Sequence, residues 1–425
     1  MNKIIIIITP VEGHFNPFIP IMIKLVEKGH QVVCITGRIF KDQVENIGAS
    51  FIPVPGKWDP GENEVYDFFP ELKKKKSLSQ FKYYLKHIML DSVQDALNML
   101  NKVLGNFPAD IVISDSFMIA GSWITQLGGP PNVRLSVVPL NLPGKNIAPF
   151  GLGILPGETF LSKLKNNILR KIFNIILYRD IHNYINEIRK NIGLPIFEEN
   201  FQIIGLESSN LFLHASIPAF EYPRNTFPSN LHFIGPILVS PQKIYKPPEW
   251  WPEIEKNAPV ILINQGTVEK NYENLILPSI EALEDENMIL IAVPVKDGKL
   301  VNLPKNVHTE LYIPFGNILP HVDLMITNGG FGGTQNALSH GIPVIIAGAT
   351  EDKMEVAARL EYSGAGINLG KQKPSPSNIK KAVMKIFSDP SYKQRAIELQ
   401  SEFAKYDAPN LAVELIEELI EKTKK

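Results

Sequence analysis

The chain has 425 residues, of which 44% are hydrophobic and 20% charged, with a formal net charge of −1. That length exceeds what one hydrophobic core organises and fits two domains, and the near-neutral balance excludes the strongly basic surface of a general nucleic-acid binder. A single cysteine, Cys34, allows no disulfide within the chain, so a reducing compartment, the cytoplasm, is the expected location.

Residues 3–9 include five consecutive isoleucines, a β-branched run of the kind buried on both faces of a parallel sheet. The run is too short for a signal-peptide core or a membrane span. A turn over residues 10–17 leads into a helical pattern at 18–29, and residues 31–36 are again strand-like, which makes a βαβ unit. Residues 50–54, 110–115 and 132–138 read as further strands. Between them, residues 57–90 hold aromatic side chains, a helical stretch and the lysine run at 73–76, which reads as a solvated face. Residues 158–192 read as one or two helices rich in Leu, Ile, Phe, Lys and Arg. A basic amphipathic helix can lie on a membrane, but helices inserted into an α/β domain more often wall a cleft or cover the core, so membrane contact is the lesser reading.

Residues 235–252 contain eight residues of Pro, Gly or Trp type and little periodicity, which is linker composition. The βα rhythm then restarts, with strands at 260–264, 288–293, 307–312, 324–327 and 344–347 and helices at 275–283 and 333–339. Alternation of this kind predicts a second parallel sheet covered by helices. The expected division is a Rossmann-like domain over 1–236, a linker over 237–257, a second Rossmann-like domain over 258–400, and a C-terminal helix within 401–425 that can pack back on the first domain.

The densest motif is Thr327-Asn328-Gly329-Gly330-Phe331-Gly332-Gly333-Thr334, directly after a strand and opening a helix. Clustered glycines let backbone approach closely and adopt torsions other residues avoid. The helix start offers unpaired N–H groups and the positive end of the helix dipole, which suits a diphosphate. A tight turn with no ligand is the plain alternative. The pattern is not GxGxxG after the first strand, so it gives no support to a dehydrogenase.

Gly13-His14-Phe15-Asn16-Pro17 follows the first strand, at the end where open α/β sheets bind ligands. A neutral imidazole there can take the proton from an acceptor hydroxyl, and an ordinary histidine pKa of about 6.5 suits that work. Asp115, at the end of another strand, can bond the other ring nitrogen and fix its tautomer. Asp110, at the start of that strand, is the competing carboxylate, and a histidine that merely caps a helix is the plain reading of His14.

Residues 312–366 resemble the donor signature of the inverting, UDP-sugar-using glycosyltransferases of family 1, which have the GT-B fold. The matching pieces are Tyr312-Ile313-Pro314, Asp323, Thr327-Asn328-Gly329-Gly330, Gly332-Gly333-Thr334, Ala337-Leu338, Gly341-Ile342-Pro343 and Asp352-Lys353. The resemblance implies an α/β chain of two Rossmann-like domains whose parallel sheets face each other across a cleft. It places a UDP-sugar, UDP-glucose by default, in the C-terminal half and the acceptor in the N-terminal half. Tyr312 then lines the nucleobase site, and the turn of Asn328, Gly330, Gly332, Gly333 and Thr334 holds phosphates. Gly266 and Thr267 also meet the diphosphate, Asp352 accepts from sugar hydroxyls, and His14 with Asp115 is the catalytic pair.

Three positions depart from the family pattern. Asn328 stands for a histidine and Asn336 for a ribose-gripping glutamate, which removes a charge-assisted bond. Lys353 stands for the glutamine beside Asp352. No cofactor beyond the co-substrate is expected, and no metal, since the sequence has neither an Asp-x-Asp motif nor a histidine cluster with ligand spacing. Phe68, Phe69, Phe117, Met118, Phe150 and Leu152 suggest a cleft for a lipophilic small molecule, although each also reads as core. The rival of another class is a nucleotide-sugar-binding protein or inactive partner subunit, and an epimerase of the same architecture needs carboxylates the sequence does not identify.

Overall fold

The computed structural model describes all residues except 64, 76, 243, 256–257, 267–270, 295–302, 351 and 425. The first sheet holds β1 (Lys3–Ile7), β2 (Gln31–Thr36), β3 (Ser50–Pro53), β4 (Ile111–Asp115), β5 (Asn132–Ser136), β6 (Leu211–His214) and β7 (Leu231–Phe233) in the order β3-β2-β1-β4-β5-β6-β7. The second holds β8 (Val260–Asn264), β9 (Ile289–Val293), β10 (Val307–Thr309), β11 (Leu324–Thr327), β12 (Val344–Ile346) and β13 (Gly366–Asn368) in the order β10-β9-β8-β11-β12-β13. Every pairing in both sheets is parallel.

Burial on both sides explains the isoleucine run. Ile4, Ile6 and Ile8 join one core layer with Phe15, Phe18 and Leu25, while Ile5 and Ile7 join the opposite layer with Leu97, Trp123 and Ile181. Successive strand residues point to opposite faces, so a central strand covered on both sides must be apolar throughout. Each such side chain contributes about 1.5–3 kcal/mol by leaving water. The second sheet repeats the device, with Val260 and Leu262 on one face and Ile261 and Ile263 on the other.

Several expectations are corrected in detail. The turn at 10–17 is helical, as Glu12–Phe15 and then Asn16–Phe18, and runs into the helix Ile19–Glu27. The helix after the glycine motif is Phe331–Leu338 and begins two residues before the expected 333. β10 stops at Thr309, short of 312. The short strands β6, β7 and β13 carry too few residues for a periodicity to register.

The segment expected as a linker crosses between the sheets and then packs on the second: Tyr245, Trp250 and Trp251 lie against its core, and Trp250 stacks on His308 at 4.8 Å. The C-terminal helix Ala408–Lys424 lies on the first domain, burying Ala412, Val413, Ile416 and Ile420 in the layer that holds the helix Ile19–Glu27. Glu417 pairs there with Lys28 at 2.5 Å and His30 at 2.9 Å.

Candidate active site

The end of β1 and the end of β4 are neighbours, since Ile7 pairs with Ser114. That register sets the one-turn helix Glu12–Phe15 beside Asp115, and His14 Nδ1 lies 2.8 Å from Asp115 Oδ1. Asp115 is fully buried, and the His14 side chain is 12% exposed. The second carboxylate oxygen accepts from the Thr9 hydroxyl and, at 3.3 Å, from Phe117 N–H. Burial by itself raises the Asp115 carboxyl, but the His14 charge and the three hydrogen bonds outweigh it and hold the group below the usual carboxylate range. With an ionised carboxylate on Nδ1, the imidazole is oriented to use Nε2 in chemistry. The Phe117 ring lies 4.6 Å from the imidazole, and Tyr84 meets Phe117 edge-on at 5.7 Å. Met118 packs on the core, and Phe68 contacts Phe69 at 4.8 Å.

Asp110 is excluded as the partner. It precedes β4 at the opposite end of the strands, where it accepts from Lys3 N–H at 2.7 Å and pairs with Lys424 at 2.8 Å. Sequence reasoning missed Arg134, buried on β5 behind Asp115, whose guanidinium donates to Ser116 O. Burial pulls Arg134 down to about 10, opposed by the Asp115 charge. A lone arginine inside an apolar strand was the available signal.

In the second domain the adjacent ends of β8, β11 and β12 form one recess, lined among others by Gln265, Asn328, Gly348, Thr350 and Lys353. Gly329 adopts φ +93°, and Gly266 φ +77°, with its N–H on Asn264 Oδ1 at 2.7 Å. Gly330 caps the helix Phe331–Leu338, and Thr334 N makes the first bond back, to Gly330 O at 3.0 Å. The amides of Phe331, Gly332 and Gly333 therefore lie in the turn whose donors have no carbonyl within the helix. A Cβ added at Gly330 or Gly332 would meet nothing within 4 Å, so the side of the turn that these two glycines present is uncovered.

Three donor-site residues sit differently from the expectation. Thr334 is fully buried and turns its hydroxyl to Gly330 O at 2.9 Å, because a threonine in a helix bonds back to its own preceding turn. Asn328 donates across the recess to Gln265 O, tying two strand-end turns together. Asn336 donates to Gly332 O at 2.8 Å and accepts from Val239 N–H of the crossing segment at 3.1 Å, so its amide links the two domains' connection to the glycine turn. Tyr312 is 64% exposed, with its hydroxyl accepting from Gln242 at 2.9 Å, and it is not among the residues that line the recess. Asp352 precedes the helix Lys353–Ser363, and Lys353 Nζ reaches Thr350 Oγ1 at 3.3 Å. Thr267 lies outside the described residues.

The two halves meet through a buried charge relay. Glu355, three residues after Asp352, accepts from Gly151 N–H at 2.7 Å and Gly153 N–H at 3.0 Å of a first-domain loop that also carries Phe150 and Leu152. Arg359 bonds Glu355 at 3.0 Å, Glu221 at 2.6 Å and Leu140 O at 2.9 Å, and Glu221 in turn bonds His214 at 3.0 Å. Burial disfavours the Glu221 charge, yet Arg359 and His214 draw its carboxyl down to about 2. Beside this relay, Ile217 and Phe220 of the first domain enter the second domain's core against Phe331 and Phe403. Loops that follow the first sheet's strands thus rest on the helices that follow β11 and β12, and each sheet's ligand-binding end faces the other.

Two parallel-sheet domains joined in this way, with a histidine–carboxylate pair on one and a glycine-lined helix start on the other, define the class of GT-B nucleotide-sugar glycosyltransferases. Residues 274–421 match the family model described as the erythromycin biosynthesis protein CIII-like C-terminal domain. The chain is 34% identical to 4'-demethylrebeccamycin synthase of Lentzea aerocolonigenes, covering 98% of this chain and 99% of that one. It is 31% identical to UDP-glycosyltransferase 2 of Phaeomoniella chlamydospora, over 98% and 95% of the two chains. The crystal structure of the calicheamicin glycosyltransferase superposes with a TM-score of 0.71 at 21% identity, over 98% of each chain, a likeness of fold. The chain belongs to the family 1 UDP-glycosyltransferases and is a glycosyltransferase. Among its described residues no helix is long and apolar enough to cross a membrane.

Proposed function

We propose that the chain moves a hexose, glucose by default, from a UDP-sugar to a hydroxyl of a lipophilic small molecule, with inversion at the anomeric carbon. His14 Nε2 takes the acceptor proton as the hydroxyl oxygen attacks, and Asp115 stabilises the imidazolium that forms. The bond to the diphosphate breaks on the opposite face, and the amides of the turn before Thr334 stabilise the charge that develops on the leaving group. This reading invokes neither a metal nor a cofactor, because the N–H dipoles of the helix start can serve the leaving oxygens. The observation that supports it most is the 2.8 Å contact between His14 Nδ1 and the buried Asp115 carboxylate. The uncovered side of the glycine turn supports the donor half, and the aromatic neighbours Phe117 and Tyr84 support an apolar acceptor.

The test is incubation of the purified protein with UDP-glucose and a mixed panel of phenols and sterols, read by mass spectrometry. A hexose increment that disappears in His14→Ala is the expected result. UDP binding without transfer to any member of the panel would favour a nucleotide-binding partner subunit instead.

A further inference from the structure

The helix Phe160–Phe173 and the turn Asn174–Tyr178 are built inside out. Facing the protein is a polar anchor: Asn166, 1% exposed, donates to Asn146 O at 2.9 Å and Leu155 O at 3.0 Å. Arg170 donates to Gly144 O and to Asn167. Facing solvent are Phe160, Leu164, Ile168 and Ile172, one turn apart and so on a single face, followed by Ile175 and Ile176, which are 68% and 65% exposed. The expectation that this segment walls a cleft or covers the core therefore holds only for its inner edge, where Phe173, Leu177 and Tyr178 pack.

Charge singles out what covers the outer face. Residues 160–178 contain Lys163, Lys165, Arg170 and Lys171 and no Asp or Glu. Among the described residues, Lys163, Lys165 and Lys171 have no carboxylate within ion-pair range. A second copy seated on the same face about a twofold axis would bring the two sets of lysines together with no acid from either segment between them. A bilayer surface with anionic headgroups accommodates both features, taking the apolar row into the acyl boundary and the lysines onto the phosphates.

We propose that residues 160–178 form a docking surface for an anionic lipid bilayer. The helix hangs on the loop that also bonds Glu355, so the docked face continues into the rim of the cleft. A lipophilic acceptor dissolved in the bilayer then has a short path to His14; that step rests on the acceptor reading above, whereas docking does not.

Co-sedimentation of the full chain with vesicles tests it, comparing phosphatidylcholine alone with phosphatidylcholine plus phosphatidylglycerol. Binding to the anionic vesicles is expected, weakening as salt screens the lysines. The double variant Ile168→Glu with Ile172→Glu should lower partitioning at least about tenfold. The triple variant Lys163→Gln, Lys165→Gln, Lys171→Gln should lower it by roughly fivefold per lysine at low salt. All five positions are exposed, so circular dichroism and melting should match the parent, and the lysine variant still reads out if the glutamate variant fails to fold. Equal sedimentation with both vesicle types, no binding to either, or a dimer dispersed by Ile168→Glu in the absence of lipid would overturn the proposal.

Discussion

The two halves of the site are made of different material. In the first domain the proposed chemistry sits on side chains held in one hydrogen-bond set: Thr9, His14 and Phe117 N–H all converge on the buried Asp115. In the second domain it sits on backbone, where glycines keep side chains out of the way of amides. Loss of one atom disables the first kind of site, while the second tolerates any change that leaves the amides reachable. The domain interface belongs to the first kind, since Arg359 satisfies two carboxylates from opposite domains at once.

The largest expected effect is His14→Ala, which should cut kcat by about 10²–10⁴-fold while UDP binding, followed by calorimetry, stays as it was. Equal losses in both would mean that the two halves are not separable. Next is Glu221→Gln, which leaves Arg359 with one of its two carboxylates. Removing one member of a buried pair costs about 3–5 kcal/mol, to be read as a drop in melting temperature at neutral pH.

The same residue gives a pH signature. The Glu221 carboxyl is lowered in the fold from an ordinary 4.5 to about 2, so its stabilisation is complete above 4.5 and disappears as pH falls towards 2. The parent should therefore lose melting temperature through that window, and Glu221→Gln should lose less. A parallel decline in the two proteins would show that the relay does not govern acid unfolding.

Smaller is Thr9→Val, which removes one donor to a buried charge. Such bonds contribute about 1.5–3 kcal/mol, and the variant should show both reduced stability and an acid limb of kcat/KM moved upward, because Asp115 becomes easier to protonate. Smallest is Gly332→Ala. The added methyl meets nothing within 4 Å, so the helix should gain about 0.5–1 kcal/mol over glycine, with the donor KM rising because the backbone is no longer bare. A change in stability with no change in donor KM would remove Gly332 from the phosphate path.

The contrast also explains what could be read along the chain. The glycine turn is a local object: strand, turn and helix start occur within residues 324–338, whereas the free space beside Gly330 and Gly332, which Gly348 and Gly366 lack, is set by the packing. His14 and Asp115 are 101 residues apart, yet both follow apolar strands, and parallel strands of one sheet bring their ends together. Side-chain direction was not legible in the same way. Thr334, Asn328 and Asn336 all carry polar groups suited to phosphate or ribose, and each is also tied to protein backbone.

Sequence by itself determined two parallel sheets, their central strands and the glycine-lined helix start, because periodicity and residue type act over a few neighbouring positions; for His14 it offered both Asp110 and Asp115, and the register of β1 on β4 chose Asp115. Only the tertiary structure decided that Arg359 meets Glu221 across 138 residues and that the row from Phe160 to Ile176 looks outward. An apolar stripe has the same spacing whether it faces the core or the solvent. The direction is chosen by what lies on the helix's other side, here Asn166 and its two distant carbonyl partners.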